Sequence, residues 1–260
     1  SFQRSAGCTV EGNTLFAPGK LTVAPPGAVA VWKDNVVFHN GLGQDGSPQP
    51  FTIDDRLPPA AQPQRMSWSA GAARVAKPPE IDGEIASGEW PGELVRLDRT
   101  PTRWSASGAP VYARLAYDDE FLYVALNVVT FDASKLSGGA AWGRDDGAEL
   151  AIAGKSAGGQ AVIYVVRGYP GGALESTGEA GAPAADAERL AAGLKFAAKP
   201  YGKARGGWRA ELAVPWKTLG QKPETGLKIP FNLTVYRSQD DVWRCWEGTL
   251  AESWRLDQAG

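Results

Sequence analysis

The sequence has few of the residues that most often bind transition metals or act as nucleophiles. Among 260 residues there is one histidine, His39, and there are two cysteines, Cys8 and Cys245. A site with several histidine ligands is therefore excluded, and Ser-His or Cys-His catalysis would have to run through His39. His39 ends an apolar stretch in "VVFHNG", where a turn begins, so we interpret it as a structural or solvent-exposed residue.

The two cysteines lie near opposite ends of the chain and cannot form a CxxC redox or zinc motif. They could form a disulfide, which would stabilise the protein by a few kcal/mol in the loop-entropy model and would indicate an oxidising compartment. They could equally be two free thiols, because the sequence does not show whether they meet.

Strong net charge and long apolar runs are also absent. The chain has 27 Lys and Arg against 29 Asp and Glu, a net charge of −2, so we expect neither a nucleic acid nor an anionic membrane as a partner. No apolar run approaches the roughly 18 residues of a membrane span, and the first residues do not form a basic and then apolar leader. We therefore expect a soluble chain from which any export signal has been removed.

Glycine and proline, by contrast, are abundant, with 32 and 19 residues that separate short apolar stretches. Six stretches show the period-2 alternation of half-buried strands. They are "VYARLAY" (111–117), "FLYVALNV" (121–128), "AELAI" (148–152), "AVIYVVRGY" (161–169), "GWRAELAV" (207–214) and "FNLTVYRS" (231–238). Helical signal is limited to 186–194 and 214–220. Because such strands bury one face each by pairing two sheets, we predict an all-β, jelly-roll-like antiparallel β-sandwich.

The composition changes between about residues 58 and 80, where "PPAAQPQ" and "AKPPEIDGE" enclose a stretch without clear period. We therefore predict three parts: an N-terminal β-rich accessory segment or remnant of a larger domain (1–66), a linker (67–78) and the sandwich (79–260). Inside the first part, "AVAVWK" and "NVVFHNG" are separated by "KDN" at 33–35. This spacing predicts a small hairpin.

Five blocks follow one another in the predicted sandwich. They are "PEIDGEIASGEW" (79–90), "ARLAYDDEFLYVALNV" (113–128), "WGRDDGAELAI" (142–152), "GGWRAELAVPWKTLG" (206–220) and "IPFNLTVYRS" (229–238). In this order they resemble the family 9 carbohydrate-binding modules and their sugar-binding-like relatives. The resemblance implies an antiparallel β-sandwich that presents a sugar between aromatic faces, usually as an appendage of an exported carbohydrate-active enzyme. It also implies structural calcium, which the family commonly holds.

Polar side chains on three predicted strands are the first candidates for sugar contacts. Alternation sends Glu149 to the face opposite its apolar neighbours, and it does the same for Asn232 and Tyr236. Arg167 lies at the end of its strand, where it can leave the core. A carboxylate, a carboxamide and a guanidinium supply the mixed donors and acceptors that sugar hydroxyls need, so we predict these residues as ligand contacts.

Tryptophan is the second candidate group, with 10 residues in the chain. Indole rings stack on the C–H faces of pyranoses. Trp90, Trp208 and Trp216 fit core positions, whereas Trp142 lies between "SGGAA" and "GRDDG" ahead of a strand. We therefore predict Trp142 as one wall of a sugar slot, with Glu149 and Asn232 in its floor. Trp243 and Trp246 follow the Asn232 strand, and either could be the facing wall.

The acidic doublets at 118–119, 145–146 and 240–241 allow other interpretations. Neighbouring residues on a strand point to opposite faces, so no doublet is itself a glycosidase pair, although residues from different doublets could meet. They could also supply oxygen ligands to calcium, although no Asp-x-Asp-x-Asp-Gly loop is present. At 118–119 we interpret them as turn residues.

The leading hypothesis is a non-catalytic carbohydrate-binding module that is secreted, periplasmic or on the cell surface. Its expected partners are a polysaccharide or oligosaccharide and a catalytic domain of the same parent protein. The Gly- and Ala-rich stretch "AIAGKSAGGQ" after Glu149 departs from the more polar turns of the family. Two alternatives therefore stay open. One is a structural or interaction sandwich that has lost its sugar site, and the other is a component of a glycoside hydrolase.

Overall fold

The structure is a computed structural model of the chain. It describes residues 8–11, 14–17, 29–33, 36–39, 69–102, 108–203 and 206–258, the first four ranges as backbone. The chain divides into two compact units, residues 1–64 and 65–260.

The described part of the first unit contains four strands. They are β1 (Cys8–Glu11), β2 (Thr14–Ala17), β3 (Val29–Lys33) and β4 (Val36–His39). β1 pairs with β3 and β2 pairs with β4, both in parallel. Among the described strands, β3 and β4 belong to separate two-stranded sheets and do not pair with each other, so the predicted hairpin across 33–35 is wrong. The accessory role of this segment and the linker at 67–78 stay predictions.

The second unit contains two sheets. One has five strands in the order β11-β10-β9-β14-β15, all paired antiparallel. Its strands are β9 (Gly147–Lys155), β10 (Ala161–Gly168), β11 (Leu174–Thr177), β14 (Phe231–Arg237) and β15 (Val242–Cys245).

The other sheet has six strands in the order β12-β13-β8-β7-β5, with β6 also paired to β7. Its strands are β5 (Ala73–Arg74), β6 (Val95–Leu97), β7 (Val111–Tyr117), β8 (Phe121–Thr130), β12 (Lys195–Gly202) and β13 (Gly206–Pro215). Only the β5–β7 pair is parallel among these described strands. The prediction of an all-β, antiparallel sandwich is thus confirmed.

The core lies between the two sheets and takes alternate side chains from the longer strands of each. Leu115, Val124 and Leu212 reach it from the six-stranded sheet, and Leu150 and Leu233 reach it from the other. Trp208 and Trp216 belong to this core as predicted. The six alternating stretches all form strands at their predicted positions, because period 2 places the apolar set of each strand on one face.

The described part of this unit also contains two short α-helices, α1 (Ala184–Gly193) and α2 (Trp216–Leu219). Two 3-10 helices span Ala133–Lys135 and Leu256–Gln258. Gly220 ends α2 in the left-handed conformation, with a φ of 62°, which favours glycine. None of the helices in the described ranges has the length and apolar character that crossing a bilayer requires.

Each sheet also buries part of its outer face. On the six-stranded sheet, Trp90 packs with Tyr123 and Ala213 in a small second cluster. On the five-stranded sheet, the C-terminal segment 247–253 is hydrogen-bonded to β14 and β9. The outer face of this second sheet therefore holds polar groups that are partly shielded from water.

Candidate functional site

Polar residues form one row across the outer face of the five-stranded sheet. The strand register places Glu175 opposite Arg167, and Arg167 opposite Glu149. Glu149 in turn lies opposite Thr234. Residues directly opposite one another share a face, and the apolar neighbours of Glu149 on β9 enter the core. The row therefore points away from the core.

Glu149 is the most enclosed member of this row, with 1% of its surface exposed. Its Oε2 accepts a hydrogen bond from Nε of Arg167 at 2.8 Å, and its Oε1 accepts one from the Ser253 hydroxyl. Burial raises the pKa of the Glu149 carboxyl, and the bonds from Ser253 and Arg167 offset only part of that rise. The carboxylate is thus held by the protein's own donors.

Arg167 connects this row to an aromatic side chain. Its guanidinium carbon lies 4.9 Å from the ring centroid of Trp142, within the range of a cation–π contact. The same guanidinium contacts Glu179, and it lies 3.7 Å from Oε1 of Glu175. One cation is therefore surrounded by three carboxylates, those of Glu149, Glu175 and Glu179.

Trp142, Tyr236 and Trp243 form an aromatic cluster beside Arg167. The ring centroids of Trp142 and Trp243 are 5.2 Å apart with an interplanar angle of 80°, and those of Tyr236 and Trp243 are 4.6 Å apart. Both tryptophans are half-buried. A Cβ at Gly147 would lie 3.3 Å from the Trp142 ring, so the glycine lets this ring approach the sheet. The two indoles touch edge to face and are not parallel walls of an open slot.

Acidic side chains hold the loop that carries Trp142. Asp145 accepts hydrogen bonds from the Ser137 hydroxyl and from the backbone N–H of Ala141, at 2.9 Å for the latter. Asp146 accepts bonds from the backbone N–H of Ser137 at 2.8 Å and from the Ser238 hydroxyl at 2.7 Å. Ser238 follows β14, so Asp146 ties the Trp142 loop to the strand that carries Tyr236.

Asn232 occupies the other end of the polar face and is 1% exposed. Its Nδ2 donates to the backbone oxygens of Glu247 and Ser253, both at 3.0 Å, and its Oδ1 accepts from the N–H of Glu247 at 3.0 Å. These bonds fasten the C-terminal segment to β14. Asn232 therefore lies beneath that segment, and its amide already has three protein partners.

Trp246 is separate from the aromatic cluster. Its ring stacks on Phe231, with centroids 6.4 Å apart and an interplanar angle of 10°, and it packs against the core. The structure therefore brings together Trp142, Tyr236 and Trp243 with Arg167 and Glu149, and it does not bring Trp246 to them. The ligand role of all seven predicted residues stays a prediction.

Sequence reasoning missed Glu175, Glu179, Tyr169 and Ser253. The Tyr169 hydroxyl donates to Oε1 of Glu175 at 2.8 Å. Glu175 lies on a four-residue strand, which is too short to show alternation. Glu179 and Ser253 lie outside the strands, where no period marks the direction of a side chain. No signal in the sequence singles these residues out.

Metal and thiol chemistry find little support at this site. In the described ranges, no three His, Cys, Asp or Glu side chains are arranged to hold a metal ion, and Asp145 and Asp146 are both engaged by protein donors. The expected calcium stays a prediction. Cys245 is a free, buried thiol. Burial raises the pKa of Cys245 to about 12.

A cavity lies at the edge of the core, away from this row. It has a volume of about 420 Å³ and lies between Leu115, Leu150, Trp216 and the loop 223–229. Its walls are mainly apolar side chains of the two sheets. Its lining also includes the aromatic residues Tyr117, Trp216 and Phe231 and the polar residues Glu224, Thr225 and Lys228. Recognition of a sugar needs fixed donors and acceptors beside an aromatic face, and we take the polar row as the candidate site because Arg167 contacts both a half-exposed indole and a carboxylate there.

Comparison with known proteins decides the family of this sandwich. The family model described as "Carbohydrate family 9 binding domain-like" matches residues 81–255. The chain belongs to this family. Its members are non-catalytic binding modules, and the match includes all five blocks from which the resemblance was inferred, apart from the first two residues of the opening block. No match was found among curated protein sequences.

Solved structures agree with the family 9 assignment at the level of the fold. A family 9 carbohydrate-binding module from Caldicellulosiruptor kristjanssonii, in complex with cellotriose, has a TM-score of 0.51 and 17% identity, over 74% of this chain and 91% of that one. A protein from Bacteroides uniformis ATCC 8492, for which carbohydrate binding has been inferred, has a TM-score of 0.53 and 14% identity, over 73% and 95%. At these identities the likeness shows the shared fold alone.

Proposed function

We propose that the chain is a non-catalytic carbohydrate-binding module whose ligand stacks on the aromatic cluster of Trp142, Tyr236 and Trp243. The observation that carries the proposal is the contact of Arg167 with Trp142 on one side and with Glu149 on the other. It places a charged donor, carboxylate acceptors and half-exposed indoles within one site. Such a site offers a pyranose both an apolar face and partners for its hydroxyls.

Binding in this proposal requires the two indoles to separate. In the structure Trp142 and Trp243 touch at 80°, which leaves no space between them for a sugar ring. Rotamer changes of exposed side chains take ps–ns, and both indoles are partly exposed, so a sugar can replace the contact between the rings with two contacts of its own. The floor of the opened site is Arg167 with the exposed edges of its carboxylate partners, since Glu149 and Asn232 are covered.

The test begins with a glycan array on the purified chain. The best ligand is then measured by calorimetry with Trp142→Ala, which should lose about 2–4 kcal/mol of binding free energy as a stacking hot spot. Trp246→Phe is the matched control, because Trp246 stacks on Phe231 outside the cluster, and it should keep the affinity. Unchanged binding by Trp142→Ala, with an intact circular dichroism spectrum, would place the sugar elsewhere.

The closed contact of the indoles also favours a second candidate, a sandwich that mediates protein contacts and has lost sugar binding. The Glu149 carboxylate accepts from Arg167 and Ser253, and the Asn232 amide donates to two backbone oxygens and accepts from one backbone N–H, as expected for groups that only hold the fold. The array separates the two candidates, because this second one predicts no glycan ligand at any concentration tested.

We further propose that the chain is exported as an appendage of a larger carbohydrate-active protein. The support is membership of a family of binding modules, which act by holding an attached catalytic domain on its substrate. Fractionation of the source cells with an antibody against residues 69–258 tests the location. A signal only in the cytoplasmic fraction contradicts the proposal.

A further inference from the structure

The carboxylates beside Trp142 outnumber the cations that could neutralise them. Arg167 is a single guanidinium in contact with Glu149, Glu175 and Glu179. The side chains of Glu175 and Glu179 are 42% and 36% exposed. Two carboxylates at this edge of the site therefore face solvent with only a shared cation between them, next to an indole.

The other side of the aromatic cluster is acidic as well. The Tyr236 hydroxyl donates to Oδ1 of Asp241 at 2.9 Å, and Asp146 and Asp240 also lie close enough to act on it. Asp240 is paired with Arg237 at 2.6 Å. Asp146 is fully buried and accepts only from backbone and hydroxyl donors in the described part of the chain. Its negative charge is therefore not balanced by a neighbouring cation.

The net negative charge around the aromatic cluster is larger than the net negative charge of the whole chain. Seven carboxylates adjoin Arg167, Tyr169 or Tyr236, and they are Asp145, Asp146, Glu149, Glu175, Glu179, Asp240 and Asp241. Four guanidiniums in the described ranges lie near them: Arg144, Arg167 and Arg237 form ion pairs with these carboxylates, and Arg244 interacts electrostatically with Asp240. With every group ionised, these seven carboxylates and four guanidiniums leave three negative charges in excess, although the entire chain has a net charge of −2. The remainder of the protein is consequently net positive.

This charge distinguishes between classes of sugar. A neutral hexose gains no affinity from the net negative charge, and the carboxylate of a uronic acid is repelled by it. A protonated amino sugar is attracted to the exposed carboxylates, and its ammonium group can also lie over an indole face. We propose that this site prefers a glycan with free, protonated amino groups, such as an oligomer of glucosamine. The proposal rests on the proposed function, because it names the substrate class of the same site.

The test compares three oligosaccharides of equal length by calorimetry at about pH 6, where a primary amine with a pKa near that of an α-amino group is protonated. The probes are oligomers of glucose, of N-acetylglucosamine and of glucosamine. We expect the glucosamine oligomer to bind ~10-fold more tightly than the other two, and this preference should shrink as salt is raised above about 0.5 M.

The outcomes separate this inference from the proposed function. Equal affinity for all three oligomers, or preference for a neutral one, overturns the inference and leaves sugar binding intact. Absence of binding to all three here and to the glycan array overturns both. Binding of the glucosamine oligomer that Trp142→Ala leaves unchanged indicates adsorption of a polycation away from the aromatic cluster, and it also overturns the inference.

A matched pair of variants tests the source of the preference. Glu175→Gln with Glu179→Gln keeps the side-chain shapes and the acceptor oxygen for Tyr169 while it removes two charges. It should reduce the preference for the glucosamine oligomer to ~2-fold or less, because the affinity for the glucosamine oligomer should fall much further than the affinity for the glucose oligomer. Glu120→Gln removes an exposed carboxylate from the β7–β8 turn of the other sheet and should leave the preference unchanged. A preference that survives the double variant contradicts the proposed role of the carboxylates.

Discussion

The tetrapeptide Ala-Glu-Leu-Ala occurs twice in the chain, at 148–151 on β9 and at 210–213 on β13. The two glutamates have the same local environment in the sequence, and both project from the outer face of their sheet. Glu149 is 1% exposed and Glu211 is 0% exposed. Burial raises the pKa of both carboxyls. They differ only in what the rest of the chain brings to them.

Glu211 receives neutral donors from the opening block of the family. Its carboxylate accepts hydrogen bonds from the N–H groups of Asp82 and Gly83, at 3.0 and 2.8 Å, and from Nε1 of Trp90 at 3.0 Å. These three bonds fasten the segment 82–90 to the six-stranded sheet. The motif "PEIDGEIASGEW" therefore matters because it supplies donors to a buried carboxylate of a distant block.

Glu149 instead receives a cation, and that cation reaches the aromatic cluster. Arg167 links Glu149 to Trp142 and to the half-exposed carboxylates beside it. The comparison teaches that one strand motif serves two purposes. Backbone and indole donors make Glu211 an anchor of the fold, whereas the arginine that holds Glu149 also contacts an indole and two half-exposed carboxylates of the candidate site.

Glu211→Leu tests the anchor and should have the largest effect. It leaves two backbone N–H groups and the Trp90 indole N–H buried without their acceptor, at about 1–3 kcal/mol for each group. We expect a loss of about 4 kcal/mol in the free energy of unfolding, measured by urea denaturation. Glu211→Gln keeps one acceptor oxygen and should lose less. Equal stability of Glu211→Leu and the wild type would show that segment 82–90 is held by other contacts.

Arg167→Met tests the site and should lose about 3 kcal/mol, because it leaves the buried Glu149 carboxylate without its cation. The double variant Arg167→Met with Glu149→Leu should regain most of that loss, since replacing both partners removes the unpaired charge. Urea denaturation of the three proteins measures both steps. No such recovery is possible at Glu211, whose partners are mainly backbone groups. Additive losses in the double variant would contradict an ion-pair origin.

Ser253→Ala should have a smaller effect, about 1 kcal/mol, because it removes a single hydrogen bond to Glu149 while Arg167 remains. Thermal unfolding followed by circular dichroism measures it. The C-terminal segment should stay in place through Asn232, so hydrogen exchange of the Glu247 amide should change little. If the Glu247 amide hydrogen of this variant exchanged as fast as in an unstructured peptide, Ser253 and not Asn232 would be the residue that holds this segment.

The smallest effect is expected from the pH dependence of stability at Glu211. Its folded-state pKa is raised above the ordinary value of 4.5, so the folded state binds the proton more tightly than the unfolded state does. The stability that this group contributes is complete below about pH 4.5 and is lost as the pH rises through the folded pKa. The difference in unfolding free energy between the wild type and Glu211→Gln should fall over that window. If this difference in unfolding free energy rose with pH, the raised folded-state pKa of Glu211 would be contradicted.

The strands that could be predicted are those with a clear period of 2. All six such stretches became strands, including the pair joined at Asp118, whose Oδ1 accepts from the N–H groups of Glu120 and Phe121 at 2.8 Å. β12 was missed because "KFAAKPYG" contains Pro200 and lacks alternation. It lies at the edge of its sheet, where a missing backbone donor is tolerated.

The site could be predicted only as far as strand direction allowed. Register unites Glu149, Arg167 and Tyr236 on one face, and the facing pair of Tyr236 and Trp243 adds the second indole. Trp246 is three residues beyond Trp243, an odd separation, so an extended chain turns it to the opposite face. That reasoning was available from the sequence and separates Trp246 from the face of Trp243, while its role as a ligand contact stays a prediction.

The amino-acid sequence by itself determined the all-β class, the positions of the alternating strands, the turns between them and the family, because these depend on local periodicity and on the order of short motifs. Only the tertiary structure decided which Ala-Glu-Leu-Ala glutamate is an anchor and which belongs to the site. The physical reason is that a buried carboxylate takes its properties from its donors. Those of Glu211 are 121 to 129 residues away along the chain, and the Arg167 and Ser253 donors of Glu149 are 18 and 104 residues away.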